Sequence, residues 1–376
     1  MQIEDRGIIY DATKRGASDR VAAFTSLYIT ASGPIFAGYH VGSAKHALGS
    51  TIRLSRSRDG GRTWSELPWQ FEMSFQGVPG SLCGAELAEV RPGKLLVFCT
   101  WFDRPDPQRP LFDPVTEGIL PSKLLVAEST DEGGTWGPWR ALPVGGLTGC
   151  ACTGPAVLWS DGRIAYPFES YKEFDDPRPG RHGAWFIVSA DEGRTFGPPV
   201  LVAQHPEHHV FYWDQRLCAG RVPGEFFALF WTHDLAHKRD LNVHFRHGRP
   251  AGQAFALDPV HATAMPGQIA APLLLPDGRL LAFVVNRSRP GTMTLWTSRD
   301  EGATWPESLV VHVHDEKAML SQGAENVDFV QYWDDMGKWS FGHPAIRRLG
   351  DGRVLVAFYA GAPSCLSIHW ARINVC

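Results

Sequence analysis

Three groupings of polar residues have the types and spacing to do chemistry. The stretch QHPEHHVFYWDQR carries His205, His208 and His209, then Asp214 and Arg216. Imidazoles this close can ligate a metal. Here no helix aligns them and Pro206 interrupts the run, so a solvated loop is expected and no metal is assigned. In Trp213-Asp214-Gln215-Arg216 a carboxylate and a guanidinium stand two residues apart, which reads either as an interior ion pair or as part of a site. Cys150 and Cys152 are also two apart, a spacing too weak by itself for a metal or redox site.

The third grouping is acidic and repeated. The frame Ser-x-Asp-x-Gly-x-Thr-(Trp/Phe) occurs at Ser57–Trp64, Ser129–Trp136, Ser189–Phe196 and Ser298–Trp305. Calcium needs six to eight oxygens, more than this frame carries. Turn chemistry accounts for each fixed position: Asp and Ser bond nearby backbone amides, Gly takes a positive φ, and the aromatic packs between sheets. The repeat is scaffold.

The elements that must hold these groups follow from the spacing. The boxes begin 72, 60 and 109 residues apart, and the last gap leaves room for a decayed copy at Asn242 to Phe255. Six apolar runs broken by Gly turns read as hairpins: 24–39, 85–98, 155–168, 213–230, 271–285 and 344–359. A period near ~50 residues with four strands each indicates a propeller. The expectation is an all-β chain, a six-bladed β-propeller of four-stranded antiparallel blades, with seven blades as the alternative. The opening RGIIYDA is expected to pair with CLSIHWARINV and close the ring.

Bulk properties narrow the partners. A net charge of −4 with pI near 6.4 gives no basic footprint for nucleic acid or anionic membrane. No apolar run approaches the ~18 residues of a membrane span. The first residues lack a basic-then-apolar leader, so the encoded form reads as cytoplasmic, and secreted only if a leader was removed. Seven scattered cysteines, mostly in apolar runs, read as reduced thiols.

With these boxes and hairpins, the chain resembles the sialidase (neuraminidase) superfamily over nearly its whole length. The resemblance implies one propeller domain over 1–376, no cofactor, a glycan or acidic-sugar substrate, and an active site opposite the box turns. It implies three arginines holding a substrate carboxylate, a Tyr–Glu pair attacking the sugar, and an Asp acid/base. Thr153 to Pro167, TGPAVLWSDGRIAYP, matches the family's third-blade phrase. Asp214 falls near the family's Glu, with Arg216 beyond it, and Arg287 or Arg289 corresponds to a family arginine.

Three positions depart from the pattern. Ala23 stands where the first arginine belongs, with Arg20 nearby as a substitute. His343 stands at the Tyr position. The loop of the acid/base Asp offers His40, Lys45 and His46 but no acid.

The propeller arrangement gathers Asp103, Arg104, Glu169, Tyr171, His233 and Asp234 on the same face, with Trp101, Tyr212 and Trp213 as sugar platforms. Catalysis is expected from His343, Asp214, His46 and His40. Binding is expected from Arg216, Arg287, Arg289, Glu169, Tyr171 and Trp213. The first functional reading is an exo-sialidase-like glycoside hydrolase acting on a terminal acidic sugar. The alternatives are a histidine-dependent glycosidase or polysaccharide lyase on uronate-containing glycans, and a non-catalytic glycan-binding propeller. Segment 311–341 is expected to form a lid or partner surface.

Overall fold

The structure is a computed structural model and describes residues 1–104, 106, 108–288, 290–314 and 336–376. Among the described residues the fold is all-β, with helix confined to short pieces such as the 3-10 turns Ala12–Lys14 and Ala17–Asp19. Arg289 and most of segment 311–341 lie outside the described residues.

Among the described residues five sheets form, none closed on itself. Each of the six expected hairpins is present as a pair of antiparallel strands. The eight-stranded sheet consists of two antiparallel halves. One holds Phe341–Arg348, Val354–Ala362 and Cys365–Asn374, with Gln2–Tyr10 added at its outer edge. The other holds Val21–Ile29, Ile35–Gly42, Thr51–Ser57 and Ser65–Glu66. A single parallel pair, Val21 with Leu366, joins them. The first strand of the chain therefore pairs with the last, as the sequence led us to expect.

Second strands read as unbroken apolar runs because each is covered on both faces. In Lys94–Asp103, Leu95, Val97, Cys99 and Trp101 pack with Phe36, Ile52 and Leu54. The alternate residues Leu96 and Phe98 pack with Tyr166 and Ile187 of the following sheet. Leu280–Asn286 divides in the same way: Leu281, Phe283 and Val285 face one core, while Leu280, Ala282 and Val284 face another.

The four boxes adopt one turn. Ser57 Oγ accepts from Gly61 N (2.9 Å) and donates to Asp59 Oδ1 (2.8 Å), while Thr63 Oγ1 donates to Asp59 Oδ2 (2.6 Å). The same three bonds recur around Asp131, Asp191 and Asp300. Two successive residues are left-handed in each copy, the fixed Gly and the one before it. Glu132, Glu192 and Glu301 accept φ values of 57°, 61° and 56°. A non-glycine residue there is uncommon, and the bonds to Ser and Asp hold it.

The feature that positions the site is a bulge repeated in the first strands. Register shifts occur between Ala23 and Ser26, Cys83 and Glu86, Trp213 and Arg216, and Gly342 and Ala345. Each contains one left-handed residue: Phe24 (φ 54°), Gly84 (74°), Asp214 (45°) and His343 (54°). A bulge adds a residue to one strand and re-aims its side chain out of strict alternation.

Candidate active site

All four bulge residues converge on one cavity of about 130 Å³. Its walls are largely aromatic and apolar, including Phe24, Phe102, Trp213, Trp231 and Trp339. Holding Phe24, Asp214 and His343 left-handed costs about 1–3 kcal/mol each, so the surrounding sheets must over-determine these conformations.

The polar centre of the cavity is a pair of carboxyl groups. Glu169, near the end of Ile164–Ser170, accepts from Asp214 N (3.2 Å) and from His182 Nε2 (3.1 Å) through the same oxygen, Oε2. Burial and the neighbouring Glu169 carboxylate push the Asp214 carboxyl up to about 7, against the pull of Arg216 and Arg287. Asp214 is thus poised to hold or release a proton near neutrality. Glu86 lies deeper and lines both this cavity and a small void beside Arg347. Burial pushes it up to about 7 against the attraction of Arg216 and Arg347.

His343 is held in the wall with both ring nitrogens engaged. Arg216 Nη2 lies 2.8 Å from His343 Nε2 and 3.1 Å from Nδ1, and Nδ1 is 3.2 Å from the Thr25 carbonyl. The consistent assignment has Nδ1–H donating to Thr25 and Nε2 accepting from Arg216. Burial, then the Arg216 charge, hold this imidazole well below its usual range, so it is neutral. Arg216 Nη1 donates to the Pro344 carbonyl (3.0 Å), and the whole residue is buried.

The loop after Ile35–Gly42 braces the roof. Lys45 Nζ donates to the carbonyls of Met336 (2.9 Å) and Trp339, and His46 Nε2 lies 2.8 Å from Met336 Sδ. Arg104 donates to the His46 carbonyl (3.1 Å) and to Ser81 Oγ (3.2 Å). His46 lines the cavity, and burial keeps it uncharged. His40 sits behind the wall with Nδ1 on the Leu82 carbonyl (3.0 Å), and burial lowers it to about 4.

Six of the expected residues therefore line one cavity: His343, Asp214, His46, Glu169, Tyr171 and Trp213. His40, Arg216 and Arg287 do not line it. Arg287 is buried with its guanidinium 4.0 Å from the Trp339 ring centroid and 5.5 Å from that of Trp231. Its Nε and Nη1 have no partner among the described residues. Arg20 does not fill the place left by Ala23, since it is exposed and donates to the Arg15 carbonyl.

The expected platforms divide. Trp101 donates to the Met73 carbonyl (2.9 Å) and Tyr212 packs on Phe230, both away from the cavity, whereas Trp213 lines it. His233 is stacked on Trp213 and lies 3.0 Å from Asp240, supporting the platform from behind. Asp103 and Arg104 are outside the lining, and Asp234 pairs with His237 on a loop. His205 Nδ1 accepts from the backbone of Glu207 and His209, which closes a turn. Among the described residues no three His, Cys, Asp or Glu side chains form a metal-holding group.

Sequence reasoning missed Glu86, His182, Phe24, Trp339 and the thiol Cys83, all on the cavity, and it gave Cys152, which also lines it, no role. The signal for Phe24, Gly84, Asp214 and His343 was their common place in the first strand of each hairpin, two residues before Ser26, Glu86, Arg216 and Ala345.

Comparison with known proteins gives the fold. No family model matches the sequence, and no curated protein does. A crystal structure of a protein of unknown function from Dyadobacter fermentans matches with a TM-score of 0.72 at 18% identity, covering 99% of this chain and 98% of that one. The Hadza microbial sialidase Hz136 matches with 0.71 at 17%, covering 98% and 68%. The intramolecular trans-sialidase from Ruminococcus gnavus, in complex with oseltamivir carboxylate, matches with 0.65 at 12%, covering 98% and 97%. The fold is sialidase-like.

Proposed function

We propose that the protein is a carbohydrate-active enzyme, a glycoside hydrolase that cleaves a terminal sugar in the aromatic cavity, on a six-bladed propeller. Six inter-sheet cores in cyclic chain order support the six blades, with the eight-stranded sheet counted as two. The observation that carries the activity is the Asp214–Glu169 pair, in which one carboxyl keeps a proton near neutral pH.

A protonated Asp214 donates to the leaving glycosidic oxygen as the C–O bond breaks, the Glu169 carboxylate stabilises positive charge developing on the sugar, and a water adds to the anomeric carbon and returns its proton to Asp214. Trp213 and Trp231 offer ring faces to the sugar. This reading moves proton transfer from the histidines to Asp214. His40, His46 and His343 are all depressed by burial, which makes them weak bases. The first arginine, the Tyr nucleophile and the acid/base Asp of the sialidase pattern are, in this reading, replaced.

A second feature favours an acidic sugar, as in exo-sialidase action. Buried guanidinium N–H groups without acceptors are costly, and those of Arg287 lie directly behind Trp339 and Trp231. Movement of Trp339 would expose them to a substrate carboxylate. The test is a panel of aryl glycosides with neutral, uronic and sialic terminal sugars, run on wild type and Asp214→Asn. Release of aglycone that falls by about 10²-fold or more in the variant supports the reading. Equal turnover by both proteins, or none by wild type on any glycoside, overturns it.

A further inference from the structure

We infer that the chain carries a second saccharide-binding site, a surface groove for a neutral oligosaccharide, independent of the cavity. The groove lies between residues 69–76 and 136–141, has a volume of about 870 Å³, and shares no lining residue with the cavity. That volume is within the range of small-molecule sites.

Its floor is an aromatic stack. Phe71 packs face to face with Trp139 (centroids 5.3 Å apart, 29° between planes) and at a tilt against Trp136 (5.6 Å). Trp69, Phe75 and Trp139 are only partly buried, so ring surface remains open to solvent. Two further contacts hold the walls: Trp139 Nε1 donates to the Glu72 carbonyl (2.8 Å), and Glu72 Oε1 accepts from Ser74 N (2.9 Å) and Oγ (2.7 Å). Rigid ring faces interleaved with amides, here Gln70 and Gln76, are what a sugar's axial C–H face and equatorial hydroxyls require.

Trp136 supplies an independent observation. In the boxes at Trp64 and Trp305 the indole N–H donates to the box's own Gly carbonyl, at 3.0 Å in both. In the second box the Trp136 N–H is buried without a partner among the described residues. Leaving a buried donor unpaired is unfavourable, and what this ring has in exchange is its place in the groove floor. The scaffold residue has been diverted to build a surface.

Charge selects the class of sugar. The cation in the lining is Arg140, and its guanidinium donates to the carbonyls of Gly193 and Arg194 in the third box. Glu72 is the carboxylate. With one charge of each sign, and its guanidinium held on backbone carbonyls, the groove has no net attraction for uronic or sialic acids and suits neutral hexoses.

The experiment is titration of intrinsic tryptophan fluorescence with β-1,4-linked tetraoses of glucose, mannose and galactose, and with a sialyl-trisaccharide. Wild type is expected to bind at least one neutral tetraose saturably and to prefer it to the sialyl compound. Trp139→Ala and Trp69→Ala should each weaken that binding about tenfold, the loss of one stacking contact, while Trp139→Phe stays close to wild type. Asp214→Asn should bind as wild type, since the cavity is not involved. Trp69→Ala carries the test if Trp139→Ala does not melt cooperatively. Absence of saturable binding to all three tetraoses overturns the inference. So does undiminished binding by folded alanine variants, or loss of binding in Asp214→Asn.

Discussion

Replacing Asp214 with Asn should make the folded protein more stable at pH 8 while reducing its activity. The carboxyl has a folded pKa of about 7 against an ordinary value of 3.8, with burial as the main cause and Glu169 next. The folded state therefore binds more protons than the unfolded state between these values, and the stability contributed by Asp214 is lost as pH rises through 7. A shift of about three units corresponds to about 4 kcal/mol. Asp214 is only partly buried, on the cavity wall, and screening there brings the expectation to roughly 2–4 kcal/mol. Asn cannot ionise, has nearly the same shape, and tolerates the left-handed φ of 45° better than most residues.

Urea denaturation of both proteins at pH 4, 6 and 8 measures this. Wild type alone is uninformative, because buried groups of opposite sign overlap. Glu86 is also raised to about 7, whereas His40 is lowered to about 4, so its destabilisation grows as pH falls from 6.5. These terms are common to both proteins and cancel in the difference. The stability of Asp214→Asn minus that of wild type should be near zero at pH 4 and reach roughly 2–4 kcal/mol in favour of the variant at pH 8. Over the same range wild-type kcat should fall as pH exceeds 7, because the proton donor is lost. A flat difference, or a variant less stable at pH 8, would refute the placement of a protonated carboxyl at the centre of the site.

Other positions give sharper structural tests. Ser57→Ala removes the acceptor for Gly61 N and a donor to Asp59. It should cost about 1–3 kcal/mol in urea denaturation and leave turnover unchanged. Gly84→Ala places a Cβ 2.6 Å from Cys152 Sγ at a φ of 74°. It should destabilise by about 1–3 kcal/mol, and Cys152→Ala should restore part of that loss in a double-mutant cycle. Arg216→Met removes one of the two cations offsetting Glu86 and the donor to the Pro344 carbonyl and His343 Nε2. A loss of about 3–5 kcal/mol is expected, read as a lower urea midpoint.

The fold was legible because its signals are local. Each hairpin turn carries Gly between apolar runs, and each box repeats side chains that bond within a few residues of themselves. The N-terminal strand was legible because an apolar opening segment needs a partner and the last strand offered an edge. The site was only partly legible. Asp214, Glu169, Tyr171, Trp213, His46 and His343 could be placed at strand ends, but their protonation could not. Burial, supplied by sheets distant in sequence, raises the Asp214 carboxyl and lowers the His40 and His343 imidazoles. Arg216, two residues from Asp214, read either as an interior ion pair or as part of a substrate site. Three-dimensional packing instead aims it at His343 and Pro344, inside the wall.

The bulges explain why strand alternation misleads at this one level of the structure. Alternation sends Phe24, Asp214 and His343 to faces set by their neighbours, yet the left-handed residue in each bulge turns its side chain to the cavity instead. Four strands use the same backbone device, and the side chain at that position is an aromatic ring, a carboxyl, an imidazole or nothing. The empty case is informative: at Gly84 the space a Cβ would need is taken by the thiol of Cys152 from the next sheet. Two sheets thus cooperate to fill one slot. The groups that face the cavity are therefore set by single residues at fixed backbone positions. Such an arrangement lets one fold host different proton carriers, and in the reaction proposed for this chain the carrier is the carboxyl whose slot adjoins Glu169.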